Sequence, residues 1–190
     1  MPRPIFIGLT LFALIFLSFY EKGEEVISWS QRNKLTWSDY KGKPQKRFAA
    51  ASTVYSLGRH VFAEEGKVKA SIEAYFYCND SWKKDDWIND EVLAHEQKHF
   101  DIVELYARRF RKQISGMVFL GLKDAEKKVE AVYQILNKEM DVYQDKYDDE
   151  TDGSMNGDGQ RRWNSKIAGE IKLLDEYSAP LVTLKLKSGN

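Results

Sequence analysis

Hydrophobic and polar positions alternate along the first half of the chain, then switch to a spacing of three and four. From Glu24 onward, Val26, Ser28 and Ser30 alternate with Ile27 and Trp29, a period of two that predicts a strand. Leu35, Trp37 and Tyr40 carry this β-like stretch into a turn at Lys41-Gly42-Lys43-Pro44. Two longer runs, Ala49 to Phe62 and Lys67 to Cys78, flank Ala63-Glu64-Glu65-Gly66. The second run puts Val68, Ala70, Ile72, Ala74, Phe76 and Cys78 on one face and polar or tyrosine residues on the other. This predicts a β-hairpin with one buried face.

Beyond Ser81-Trp82 the period becomes helical. Asn89 or Asp90 can cap a helix whose first turn carries Glu91, the sign of charge its dipole favours. Val92, His95, Glu96, His99, Val103, Tyr106 and Phe110 then share one face of a helix reaching to about Ser115. Gly116 and Gly121 bracket a short apolar linker. A second helix is predicted from Asp124 to about Glu150, with Val129, Val132, Leu136, Met140, Tyr143 and Tyr147 as its apolar stripe. A polar loop, Asp152 to Gly159, precedes a third helix over about Gln160 to Tyr177. Leu181 to Lys187 alternates as a last strand. Strands followed by helices define an α+β fold.

Composition adds limits. Lys+Arg and Asp+Glu balance at 29 each, so there is no electrostatic footprint for nucleic acid. The single cysteine, Cys78, can form neither an internal disulfide nor a cysteine metal cluster. Stability must come from a core, for which the chain supplies 13% aromatic residues. Behind Arg3, the run from Ile5 to Tyr20 carries no charge and is followed by Glu21, Lys22 and Glu24. This is the layout of a secretory signal, and it is marginal in length for a permanent span of about 20 residues. Residues 1–22 are therefore expected to be a signal peptide or N-terminal anchor, and residues 23–190 one exported domain. Membrane contact is expected only through residues 5–20.

The candidate chemistry lies in His95-Glu96-Gln97-Lys98-His99, which holds two of the three histidines. Residues four apart on a helix project side by side, so both imidazoles can bind one tetrahedral ion. Glu96 is rotated about 100° from His95, where it can hold a metal-activated water and take its proton. This is the mechanical content of the HExxH pattern, and it predicts zinc as cofactor and a peptide or protein as substrate. The position of this helix after a β-hairpin is the order found in zincin peptidases. His60, in a hairpin strand, is expected to be structural. Asp101 lies about 200° around the helix from His99 and is expected to pair with Lys98 or meet solvent. Glu104 and Arg108, four apart, are expected to form a surface pair.

The third ligand is less directly legible. A metzincin would need Gly and His three and six residues after the second histidine. Ile102 and Leu105 stand there, which excludes that class. A thermolysin-like site takes a glutamate from a following helix. Of Glu126, Glu130, Glu139 and Glu150, Glu150 best continues the apolar stripe. Tyr147 is a candidate donor to a developing oxyanion. The loop Asp152-x-Ser154-x-Asn156-Gly157-Asp158 imitates the start of an EF-hand, but its twelfth position is Trp163, where calcium needs a glutamate.

HEQKHFDIVELYARRFR (His95 to Arg111), YDDET (Tyr147 to Thr151) and QRRW (Gln160 to Trp163), with LTWSDYKGKP near the start, resemble a bacterial family regarded as secreted zinc-dependent proteases of otherwise unknown function. The resemblance implies an exported peptidase-like protein with His95 and His99 as zinc ligands and Glu96 as base. In that pattern a histidine stands two residues after the threonine. Here Gly153 occupies the position, leaving Glu150, Asp148 or Asp152 to complete the site.

Overall fold

In the computed structural model, which describes residue 23 and residues 25–187, the hairpin is the platform on which the rest is built. Strand β3 (Tyr55–Glu64) pairs antiparallel with β4 (Lys67–Tyr77), in register from Tyr55 opposite Phe76 to Glu64 opposite Lys67. Only Glu65 and Gly66 remain in the turn, both at positive φ, as a two-residue hairpin requires. The other edge of β4 takes β1 (Val26–Ser28) at one end and β7 (Leu181–Thr183) at the other. The strand β4 is thus central. Val68, Ala70, Ile72, Ala74, Phe76 and Cys78 are all buried, the face their alternation predicted.

Two further short pairings lie off this sheet. β2 (Ala51–Ser52) pairs antiparallel with β5 (Trp82–Lys83), and β6 (Val118–Phe119) pairs parallel with β8 (Lys185–Leu186). The expected single C-terminal strand is therefore two, split at the buried Leu184, whose N–H donates to Val68 O. Around Trp37–Asp39 the chain forms a 3-10 turn rather than a strand. Asp39 holds it by accepting from the Thr36 backbone at 2.7 Å and from Arg32.

Helix α1 (Asp90–Ser115) starts where predicted, with the Asn89 side chain accepting from Val92 N at 2.8 Å. The sheet, α2 (Leu122–Thr151) and α3 (Gly157–Leu173) pack around it. Residues 100–108 are consequently all buried, not only the one predicted face.

This overturns the expected Glu104–Arg108 surface pair: both residues are almost wholly buried. Arg108 Nε donates to Glu104 Oε1 at 2.9 Å, and Arg111 bridges both carboxylate oxygens at 3.1 Å. Arg111 also donates to the carbonyls of Ile72, Tyr177 and Ser178, tying helix, sheet and C-terminal segment together. Removing the carboxylate would leave two guanidinium groups buried beside each other without the counter-charge they share, Arg108 keeping only its ion pair with the exposed Asp175. Glu104→Ala is expected to lower the unfolding free energy by about 3–5 kcal/mol, read from the urea midpoint.

Asp101 does face away from the histidines and pairs with Lys98 as expected. It is buried, however, and accepts from Trp29 Nε1 at 3.0 Å and Gln97 Nε2 at 2.9 Å. No helix among the described residues is long and apolar enough to cross a membrane. The expected signal or anchor at residues 1–22 lies outside the described residues.

Candidate metal centre

α1 and α2 bring the first half of one against the last turns of the other. Tyr106 OH donates to Glu139 O, and Gln144 Nε2 donates to His99 O at 3.0 Å, as an antiparallel pair requires. Asp152, just past the end of α2, caps it in the left-handed conformation, and the Asn156 side chain caps α3 by accepting from Gly159 N. Gly159 has a specific role here. A Cβ on it would meet Glu150 O at 2.3 Å, so only glycine lets the first turn of α3 lie this close to the last turn of α2.

These junctions assemble a group that could hold a metal ion: His95, His99 and Asp148. His95 Nε2 and His99 Nε2 are 3.3 Å apart, and each lies 3.1 Å from Asp148 Oδ1. An ion bound tetrahedrally at about 2.0–2.1 Å separates its ligand atoms by about 3.3–3.4 Å. The three atoms already stand close to that spacing.

Their outer partners set the chemistry. His99 Nδ1 donates to Gln144 Oε1 at 2.7 Å, and His95 Nδ1 donates to Gln160 Oε1 at 3.1 Å. Each amide is oriented by its other end. Gln144 Nε2 is committed to His99 O, and Gln160 Nε2 donates to Tyr147 OH at 2.8 Å and to Asn164 Oδ1 at 2.9 Å. With protons fixed on Nδ1, both neutral imidazoles present the Nε2 lone pair to the shared point. Three converging lone pairs repel one another unless a cation lies between them.

The electrostatics agree. Burial alone would raise the Asp148 carboxyl, but hydrogen bonds and charge from both histidines outweigh it and hold the group well below the usual carboxylate range. Burial would depress His99; the Asp148 hydrogen bond and the nearby Glu96 charge instead raise it above its ordinary value. Either a proton or a metal ion is therefore favoured at Nε2. Because Gln144 and Gln160 orient the histidines from their Nδ1 side, away from the shared point, Gln144→Leu and Gln160→Leu are each expected to weaken metal affinity by about 10–100-fold, measured by competition with a chelator.

Glu96 is buried beside this group and borders the same cleft. Its Oε2 accepts from Thr53 Oγ1 at 2.7 Å, and Thr53 in turn lies 2.9 Å from Tyr40 OH. One carboxylate oxygen is thus tethered to the sheet side while the residue faces the open cleft. Two expected residues are placed elsewhere. Glu150, the favoured third ligand, accepts from Trp163 Nε1 at 2.8 Å and faces Lys146, away from the histidines. It stands two residues from Asp148, about 200° around α2, so the helix that delivers one carboxylate to the site removes the other. Tyr147 stacks on His95 with ring centroids 4.7 Å apart and donates to His95 O at 3.1 Å. Wholly buried, its hydroxyl is spent on the backbone and does not reach the cleft. Asp152 and Gly153 border the cleft but lie outside the ligand group. His60 is exposed on β3 and stacks on Phe62.

Three residues of the site, Gln144, Gln160 and Thr53, carry no mark in the sequence motif itself. Gln144 could have been found as a polar residue at a buried position of the α2 stripe, four after Met140. Gln160 has no local signal, because its role depends on how α3 docks.

Fold and site together define an α+β protein whose facing helices carry a two-histidine, one-aspartate group able to hold a metal ion. Residues 78–157 match a family described as a bacterial protein of unknown function (DUF922). The matched stretch runs from the end of β4 to the first residue of α3 and contains His95, Glu96, His99 and Asp148. No curated protein and no solved structure matches the chain.

Proposed function

We propose that this chain is a zinc-dependent metallopeptidase acting outside the cytoplasm. The observation that carries the proposal is the meeting of His95 Nε2, His99 Nε2 and Asp148 Oδ1 at tetrahedral spacing, with Glu96 beside them on an open cleft. Three protein ligands with an open fourth position is the arrangement of catalytic rather than structural zinc sites. A bound zinc would supply Lewis acidity and a water acidic enough to lose its proton near neutral pH. Beside such a water, Glu96 would serve as the proton acceptor during attack on a peptide carbonyl and as the donor to the leaving amine. The Thr53 hydroxyl on Glu96 Oε2 fixes which oxygen does this. Gln144 and Gln160 keep both histidine rings in the required tautomer.

Two histidines and one carboxylate also suit iron(II) oxygenases. The adjacent Glu96 favours hydrolysis, since those oxygenases need no general base at that place. Metal analysis of the purified protein decides it: stoichiometric zinc is expected, and iron with no bound zinc would overturn the proposal. The charge-free run behind Arg3 supports export, and the balanced charge supports a peptide or protein rather than nucleic acid as the substrate.

A second reading, a non-catalytic envelope binding protein with at most a structural ion, draws on Gly153. The resemblance would put a histidine there, and the space around that glycine is open. Hydrolysis of a peptide library by the zinc-loaded protein, absent in Glu96→Gln, would exclude it.

A further inference from the structure

The cleft over the metal group has a volume of about 960 Å³, between the 47–55 segment and the 152–155 loop. Its outer rim carries aromatic surface that the core does not use. Phe48 is 87% exposed and Trp87 47% exposed, yet their rings meet edge to face with centroids 5.6 Å apart. Single exposed apolar residues are ordinary on a protein surface. Here two touch each other, and both border the cleft that also holds His95, Glu96 and His99. Met155, 69% exposed, borders the same cleft, and methionine adapts readily to varied apolar shapes.

The aromatic pair is held in place before any ligand arrives. Lys84 ties its two segments together: its N–H donates to Ala50 O at 2.8 Å and its ammonium donates to Arg47 O at 2.5 Å. The same ammonium lies 4.4 Å over the Trp87 ring, and Trp87 N donates to Lys84 O at 2.9 Å. Fixed aromatic surface binds an apolar side chain without the entropic cost of ordering a loop. The charge around the cleft narrows the ligand further. Glu91, Asp145 and Asp152 are exposed along it, against Arg47 in the described lining and Lys84 beside Trp87. Such a field repels acidic segments and accepts neutral or basic ones.

We infer that the cleft seats a bulky apolar side chain of a polypeptide substrate against Phe48 and Trp87, within a neutral or basic sequence. This rests on the peptidase reading and names its substrate class. Binding can be measured apart from cleavage, using fluorescein-labelled peptides and zinc-loaded Glu96→Gln protein in fluorescence anisotropy. Peptides carrying Phe, Leu or Met beside lysine are expected to bind at least tenfold tighter than matched peptides carrying Ser beside glutamate. Phe48→Ser combined with Trp87→Ser, both at exposed positions, is expected to erase the apolar preference between peptides matched in charge, while zinc content stays stoichiometric. Binding unchanged by the double substitution would overturn the inference. So would concentration-dependent self-association that the double substitution abolishes, which would make the pair a surface for a second copy. Library hydrolysis by the unsubstituted protein with no apolar preference would sink the inference and leave the peptidase reading standing. Apolar-selective binding without any hydrolysis would do the reverse.

Discussion

His95→Ala, His99→Ala and Asp148→Asn are each expected to weaken metal affinity by more than about 100-fold, beyond the 10–100-fold typical of the residues that merely orient ligands. Each alanine removes one of three atoms now 3.1–3.3 Å apart, and asparagine leaves a neutral amide oxygen where the anionic carboxylate stood, a much weaker ligand for a cation. Chelator competition reads the affinity, and thermal unfolding with and without added zinc reads the linked stability. Glu150→Gln serves as the contrast: its carboxylate faces Trp163 and Lys146, so metal affinity should not change. If Glu150→Gln lost the metal and Asp148→Asn kept it, the ligand set drawn from the structure would be wrong.

The same ions and protons compete for Nε2, which gives the binding a pH dependence of definite sign. Ligand histidines must be unprotonated, so metal binding releases protons. Because His99 is raised above its ordinary value of 6.5, the proton begins to displace metal at a higher pH than for an unperturbed histidine. In the metal-free chain the His99–Asp148 pair itself contributes to stability. The histidine's share is complete below its unfolded value of 6.5 and is lost as pH rises through its raised folded value. The aspartate's share is complete above its unfolded value of 3.8 and is lost as pH falls through its lowered one. Zinc should therefore add most to the melting temperature on the alkaline side, where the pair no longer holds its proton.

Glu96→Gln is expected to leave zinc bound and to reduce peptide hydrolysis by about 10²–10⁴-fold, the usual worth of a positioned general base. Glutamine preserves the shape and still accepts from Thr53, so the local fold should persist. The decisive comparison is kcat/KM and zinc content measured on the same preparation. A variant that keeps both zinc and full hydrolysis would remove Glu96 from the mechanism. Thr53→Val should act in the same direction and more weakly, by freeing the carboxylate oxygen it tethers.

Much of the frame was legible because it depends on local period. Alternation in 67–78 marked the buried face of β4, and spacing of three and four marked α1 and the stripe of α2. The Asn89 cap is chemistry of adjacent residues and could be read directly, whereas the loop expected over Ala63 to Gly66 is shorter, because Ala63 and Glu64 extend β3. The side-by-side placement of His95 and His99 follows from one turn of helix. Where the reading failed, the cause was non-local. Glu104 and Arg108 read as a surface pair because an isolated helix has one inward face, whereas α1 has neighbours on several sides. Glu150 read as the continuation of a stripe whose late positions are Tyr143, Gln144, Tyr147 and Thr151; the helical step that excluded Asp101 also excludes Glu150 in favour of Asp148.

By itself, then, the sequence determined the α+β order, the two histidines at ligand spacing, and the glutamate between them, since each is set within one turn or one hairpin. Only the tertiary structure decided that Asp148 completes the group, that Gln144 and Gln160 fix the tautomers, and that Tyr147 supports rather than lines the cleft. Those outcomes depend on the angle and register at which three helices dock. Buried volume and the close approach at Gly159 fix that geometry, and it has no period along the chain.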